Sequence, residues 1–306
     1  MSNVVAKILA AVAAVGLAVA CGGGSSPSSG SNKPVVVTTV TQVSALTRAV
    51  GGDRISLTAL LVPTDDPHSY ELKPAQVTRL AGAAVIFQSG VEIDKWLDKG
   101  VDAANVKDRV VDLSRSVRLR EATGETSGQD PHWWYDADNA KQATAAIAQA
   151  LAKADPAGTD TYERNAAAES QRLDAADRSV HQAIDPIPQE RRLFVANHDA
   201  FGYFLARYGI TLVGDIVPST DSMSAVRPAD ITRLVAAIQS QHVCAIFTET
   251  TIDPKLVNQI AAESKAKVYD GKLYGDAIGD PGSPGGTMEG ALTRNGQLMA
   301  MAFKSC

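Results

Sequence analysis

From Pro34 onward, short apolar runs alternate with stretches of helical periodicity, and this alternation restricts the fold more than any other feature. The first half carries "VVVTTV" (35–40), "SLTALLV" (56–62), "AAVIFQ" (83–88) and "RVVDL" (109–113). The second carries "RLFVAN" (192–197), "TLVGDIV" (211–217), "CAIFTE" (244–249) and "KVYD" (267–270). Strands separated by helices pair in parallel, and strands covered on both faces read as continuous apolar runs. Four runs in each half predict an α/β fold of two similar lobes. Between them, from about Thr159 to Ile184, no strand signal occurs. Tyr162, Ala166, Leu173, Ala176, Val180 and Ile184 recur there at helical steps, and Pro156 and Pro186 punctuate the ends. About 25 residues at 1.5 Å each make a rod of nearly 40 Å. Such a rod would join the lobes more stiffly than a hinge of crossing strands.

The residues ahead of Pro34 call for a separate reading. Lys7 followed by "ILAAVAAVGLAVA" looks like an export signal over 1–20, its apolar stretch too short for a comfortable span. Cys21 directly after "LAVA" resembles the lipobox of bacterial lipoproteins, although Ala18 stands where Leu is usual. The expectation is a lipidated Cys21 and a flexible tether over 21–34, where "GGGSSPSSGSNKP" has no apolar content. The remaining boundaries fall at 35–154 for the first lobe, 155–185 for the linking helix and 186–306 for the second lobe. A net charge of −5 offers no basic surface, which excludes a nucleic-acid partner.

Three of the chain's five histidines fall just after strands: His68 in "DPHSYELKP", His132 in "DPHWW" and His198 in "NHDAFGYFLARYGI". The strand ahead of His198 is expected to end at Asn197, with His198 on the loop beyond. Ligands of open α/β sheets gather at the carboxyl ends of strands, and neutral imidazole is the commonest protein metal ligand. His181, on the linking helix, and His242, ahead of a strand, read as solvated surface residues. A fourth ligand belongs in "VYDGKLYGDAIGDPGSPGGT", where spacing leaves Asp270, Asp276 and Asp280 as alternatives. No Gly-Lys-Ser/Thr follows these glycines, so they form no phosphate cradle.

These segments together resemble the zinc and manganese solute-binding lipoproteins of bacterial ATP-binding-cassette importers, over Pro34 to the C-terminus. The resemblance implies two (βα)4 lobes, each with a parallel four-stranded sheet, bridged by one long rigid helix, with metal in the cleft between them. It carries over His68 and His132 as ligands from the first lobe, and His198 and Asp276 from the second. It implies a monomer on the extracytoplasmic face of the membrane that delivers its ion to an ABC permease. The acidic, His-rich loop of many zinc-binding members is absent, since "REATGETSGQD" has no His. Manganese-binding relatives commonly place a carboxylate where His198 stands, so Zn2+ is expected over Mn2+. Glu249 in "IFTETTID" resembles a family Phe-x-Glu segment and is expected to support a ligand imidazole from behind. Trp133 and Trp134 are expected to pack under the site.

Metal loading is expected to move the loop around Asp276 and tilt the lobes slightly, without wide closure. Cys244 and Cys306, the pair left once Cys21 is lipidated, are a disulfide candidate in an exported protein, and some zinc-binding relatives are similar in pinning their last helix this way. Two readings from other classes stand beside the binding protein. A zinc hydrolase would need a ligand position open to water and a general base, and the chain has no His-Glu-x-x-His helix. A surface adhesin would need no converging ligands at all.

Overall fold

The computed structural model describes residues 33–122 and 128–305. The export signal, Cys21, the tether before Lys33, and Cys306 lie outside the described residues. The first lobe is a parallel sheet of β1 (Val35–Thr38), β2 (Ser56–Ala59), β3 (Val85–Gln88) and β4 (Val110–Asp112), in the order β2-β1-β3-β4. Val36 and Val37 on β1 face opposite sides of the sheet, and both are fully buried. That double burial is why the run is continuously apolar. Helices α1 (Thr41–Gly51), α2 (Pro74–Ala81), α3 (Leu97–Ala104) and α4 (Ala137–Ala154) complete the lobe. Asp136 caps α4, its carboxylate accepting from the backbone N–H groups of Asp138 and Asn139.

Helix α5 spans Thr159–Ile184, the expected rod, and its 26 residues bury Tyr162, Ala166, Glu169, Leu173, Ala176, Val180 and Ile184. The six apolar members are those the periodicity indicates. The rest of the surface is solvated, which accounts for the helix's polar composition. Beyond it lie β5 (Leu193–His198), α6 (Gly202–Tyr208), β6 (Thr211–Val217), α7 (Pro228–Ser240), β7 (Ala245–Glu249), α8 (Lys255–Ser264), β8 (Lys267–Leu273) and α9 (Met288–Ser305). The strands form two parallel pairs, β5 with β6 and β7 with β8. β5 and β7 run side by side with Phe194 stacked on Phe247, yet among the described residues no backbone ladder joins them. Side chains bridge them at their carboxyl ends instead: Asn197 Oδ1 accepts from the Glu249 N–H, and a Glu249 carboxylate oxygen accepts from the His198 N–H. Both pairs carry a register shift, between Phe194 and Val195 and between Ile246 and Thr248. Such irregularities bend strands near a site.

The two lobes also share a sequence that their composition conceals. "KPAQVTRL" (73–80) opens α2 and "RPADITRL" (227–234) opens α7, each following the second strand of its lobe. In both, proline occupies the first helical turn and the third residue's side chain returns to the cap. Gln76 accepts from the Lys73 N–H and Asp230 from the Arg227 N–H. The repeat spans two helix starts only, too short to stand out before the strands are aligned.

Helix α5 packs against α4, α9 and α1. At Gly296 a Cβ would lie 2.7 Å from Val180 Cγ1, so glycine sets the close approach of α9 to α5. Arg207 on α6 ties the rod to both neighbours, donating to Asp177 on α5 and to Asp136 and Asp138 at the start of α4. Cys244, one residue ahead of β7 and not its first residue, is disulfide-bonded.

One buried charge opposes this packing. Burial, followed by repulsion from Glu289, pushes the Glu169 carboxyl up to about 7, despite its ion pair with Arg172. A carboxyl whose pKa is raised by folding stabilises fully below its unfolded value near 4.3, and that contribution is lost as pH rises through 7. Glu169→Gln is therefore expected to raise the melting temperature at pH 8, by up to about 3 kcal/mol of stability, and to leave it unchanged at pH 4. Equal gains at both pH values in thermal denaturation would contradict this account.

Candidate metal centre

Each element ends where it can aim a donor into the cleft. β2 leads into the loop that carries His68, and Tyr70 Oη and Gln76 Nε2 hold that loop by donating to the Leu60 carbonyl. Trp96 Nε1 donates to the Pro67 carbonyl at 3.0 Å from the other side. His132 follows an antiparallel bridge between Glu121 and Gln129, and a one-turn helix, Trp133–Tyr135, comes directly after it. His198 is not on a loop: it is the last residue of β5, so the strand itself fixes its direction. Asp276 lies on the loop after β8.

These four side chains converge, with one donor atom from each lying within 4.8 Å of all the others. Asp276 is the hub. Its Oδ1 lies 3.0 Å from His132 Nε2 and 3.6 Å from His68 Nε2, and its Oδ2 lies 3.1 Å from His198 Nε2. The rings of His68, His132 and His198 stand 5.5–5.9 Å apart, centroid to centroid. His132, His198 and Asp276 are buried and His68 nearly so. A tetrahedral cation at about 2.0–2.2 Å from each donor places the donors roughly 3.3–3.6 Å apart, close to these separations.

Hydrogen bonding leaves the same atoms over. His68 Nε2, His198 Nε2 and Asp276 Oδ2 are buried without a hydrogen-bond partner, His198 Nε2 and Asp276 Oδ2 being close but misaligned. Buried polar atoms normally find partners, so a converging set that does not is matched to a cation. Asp270 and Asp280 take no part in this cluster.

The far sides of two imidazoles are held by carboxylates. Glu249 lies 3.1 Å from His198 Nδ1. Asp130 lies 2.8 Å from His132 Nδ1, and the same oxygen accepts from the His132 N–H. Sequence reading misses this role of Asp130, although the repeated Asp-Pro-His trio contains the signal. In the first trio the Asp66 carboxylate likewise accepts from the His68 N–H, at 2.9 Å. Gly275 is needed beside Glu249, because a Cβ there would lie 2.1 Å from Glu249 Oε2. Trp134 stands edge-on to His132 at 5.5 Å, and both tryptophans are fully buried under the site.

Charge in the cluster is tightly coupled. Burial pulls the His132 pKa down, but its hydrogen bonds to Asp130 and Asp276 prevail and carry it up to about 9. His198 is likewise lifted well above the ordinary imidazole value, burial opposing and the charges of Glu249 and Asp276 prevailing. Asp276 is held well below the carboxylate range because the charges of His198 and His68 outweigh the effect of burial. The pocket therefore stabilises positive charge around one carboxylate.

The backbone around Asp276 is held by several hydrogen bonds. Asn295 on α9 bonds both backbone groups of Tyr274, and Tyr135 Oη donates to the Tyr274 and Gly275 carbonyls. Gln42 donates to the Gly275 carbonyl, and Thr41 Oγ1 accepts from the Ile278 N–H. His181 and His242 take no part in this cluster: half-buried His181 pairs with Asp185, and exposed His242 sits in the left-handed region after α7.

The family model described as zinc-uptake complex component A, periplasmic, matches residues 36–302. The chain belongs to this family. It is 30% identical over 277 residues to the zinc-binding protein TroA of Treponema pallidum, covering 89% of each chain. It is 28% identical over 296 residues to the manganese-binding lipoprotein MntA of Bacillus subtilis, covering 93% of this chain and 94% of that one. The solved structure of the periplasmic zinc-binding protein TroA from Treponema pallidum superposes with a TM-score of 0.82 at 28% identity, over 89% of this chain and 99% of the other. The chain is thus a metal-binding solute-capture component of an ABC importer and not an enzyme. No helix among the described residues is long and apolar enough to cross a membrane.

Outer carboxylates that fix a ligand imidazole are commonly worth 10–100-fold in metal affinity. Glu249→Ala is expected to weaken metal binding by about that factor. Chelator competition checks it, and an affinity equal to wild type would remove Glu249 from the site.

Proposed function

We propose that this protein captures Zn2+ between its lobes through His68, His132, His198 and Asp276 and hands it to the permease of an ABC importer. The observation that carries the reading is the convergence of three imidazole nitrogens and one carboxylate, several of them buried and unpartnered. Nitrogen-rich, four-donor sites suit zinc, and manganese prefers more oxygen ligands and a larger shell. Relatives include a zinc-binding and a manganese-binding protein by name, so donor chemistry and not kinship supports the choice.

The same reading extends to the ends of the chain. A lipid on Cys21 would hold a monomer at the extracytoplasmic face, with the segment before Lys33 as its tether. Pairing of Cys244 with Cys306 would fasten the end of α9 to the start of β7. Phe303 packs against Phe247 there, and Arg191 donates to the Lys304 carbonyl. Intact-mass analysis of the unreduced protein is expected to show no free thiol at either position.

Zinc is expected to exclude manganese in competition titration of protein purified without an affinity tag. His198→Ala is expected to lose more than the roughly 100-fold that an outer carboxylate contributes, with His181→Ala unchanged. Comparable retention of manganese, or a His198→Ala variant that binds zinc as wild type does, would defeat the assignment.

A further inference from the structure

The three imidazoles are not supported equally. His132 and His198 each have a carboxylate on the ring nitrogen opposite Asp276, at 2.8 and 3.1 Å. Among the described residues His68 Nδ1 has none at hydrogen-bond distance; its nearest carboxylate there is Asp221 Oδ1, at 3.9 Å. Once Nε2 of an imidazole binds a cation, the neutral ring carries its proton on Nδ1. For His68 the carboxylate nearest that nitrogen is Asp221.

Asp221 belongs to the other lobe. It lies in the segment 218–227 between β6 and α7, the counterpart of the segment 60–73 between β2 and α2, as the shared helix starts show. The counterpart loops meet across the cleft: Ser222 Oγ donates to Asp66 Oδ2 at 2.7 Å, and Asp66 Oδ1 accepts from the His68 N–H. The Asp221 turn is shaped by its own bonds, its N–H to Ser219 Oγ and its Oδ1 from the Met223 N–H. A cavity of about 590 Å³, lined in part by Pro67, His68, Trp96, Thr220 and Asp221, opens beside it.

We infer that Asp221 is the positioning carboxylate of His68, closing from 3.9 Å to hydrogen-bond distance when metal is captured, with the Ser222–Asp66 bond keeping the two loops in register. The inference deepens the zinc-capture reading and rests on it. A ligand contributed by one lobe is then oriented by a carboxylate of the other, so the metal holds the mouth shut. Withdrawal of one exposed turn, without rotation of either lobe, frees His68 first.

The test uses the zinc-loaded full chain, with zinc dissociation into excess chelator followed by stopped flow. Asp221→Ala is expected to release zinc about 10–100-fold faster with unchanged stoichiometry, and Asp221→Asn, which keeps an acceptor oxygen, to recover part of the loss. Ser222→Ala is expected to accelerate release by a smaller factor. Histidine-ring NMR supplies a readout that a merely structural role would not move: a slowly exchanging His68 Nδ1–H proton in the zinc-loaded wild type, absent from Asp221→Ala. A wild-type release rate in Asp221→Ala, or persistence of that proton, overturns the inference. Failure of the wild-type chain to hold zinc would instead overturn the capture reading beneath it.

Discussion

A buried carboxylate must be compensated, and Asp276 is compensated by three imidazoles from three separate segments. Removing a carboxylate from water is expensive unless charge or hydrogen bonds replace the water. Here the replacement comes from His68 and His132 of the first lobe and His198 of the second. The loop that carries Asp276 belongs to the second lobe by sequence but is bonded to the first through Thr41, Gln42 and Tyr135. Asp276 therefore sits at a joint that both lobes make, and their relative placement is part of the site.

That joint explains why the long helix is compatible with binding. A rod such as α5 resists hinge closure, so the donors must already be close. The separations of 3.0–3.6 Å between Asp276 and the imidazoles satisfy this. The carboxylates beside His132 and His198 outweigh the effect of burial and raise both pKa values, and a cation must displace any proton these rings carry. Beside this frame the segment 218–227 is more open, with Asp221 and Met223 exposed.

Much of this was legible in the residues. Continuous apolar runs gave the eight strands because both sheet faces are covered, and the buried stripe of α5 gave the rod. Other features depend on contacts that a single sequence does not display. His198 reads as a loop residue because a strand's end has no composition of its own, whereas pairing with Val217 carries the strand through it. Asp130 stands in the repeated Asp-Pro-His trio without an assigned role, and only the fold shows its oxygen bonded to the imidazole two residues on. Glu169 is a charged residue within the apolar stripe, yet the fold buries it. The paired helix starts at 73–80 and 227–234 escape notice because they are eight residues long and separated by half the chain.

The frame also bears on which cation the site would favour. Three of the four donors are held from behind: His132 by Asp130, His198 by Glu249, and Asp276 by the bonds that fix its loop. Rigid donors resist the expansion that a six-coordinate ion demands, and the buried tryptophans under the site leave little room for added water on that side. Zinc, with no d-electron preference, accepts whatever four-donor geometry the protein imposes. Discrimination against manganese would then come from two sources at once, nitrogen donors and a hydrogen-bonded frame that opposes widening. The second source predicts that loosening the frame at Glu249 costs selectivity as well as affinity, because a relaxed His198 admits a larger shell.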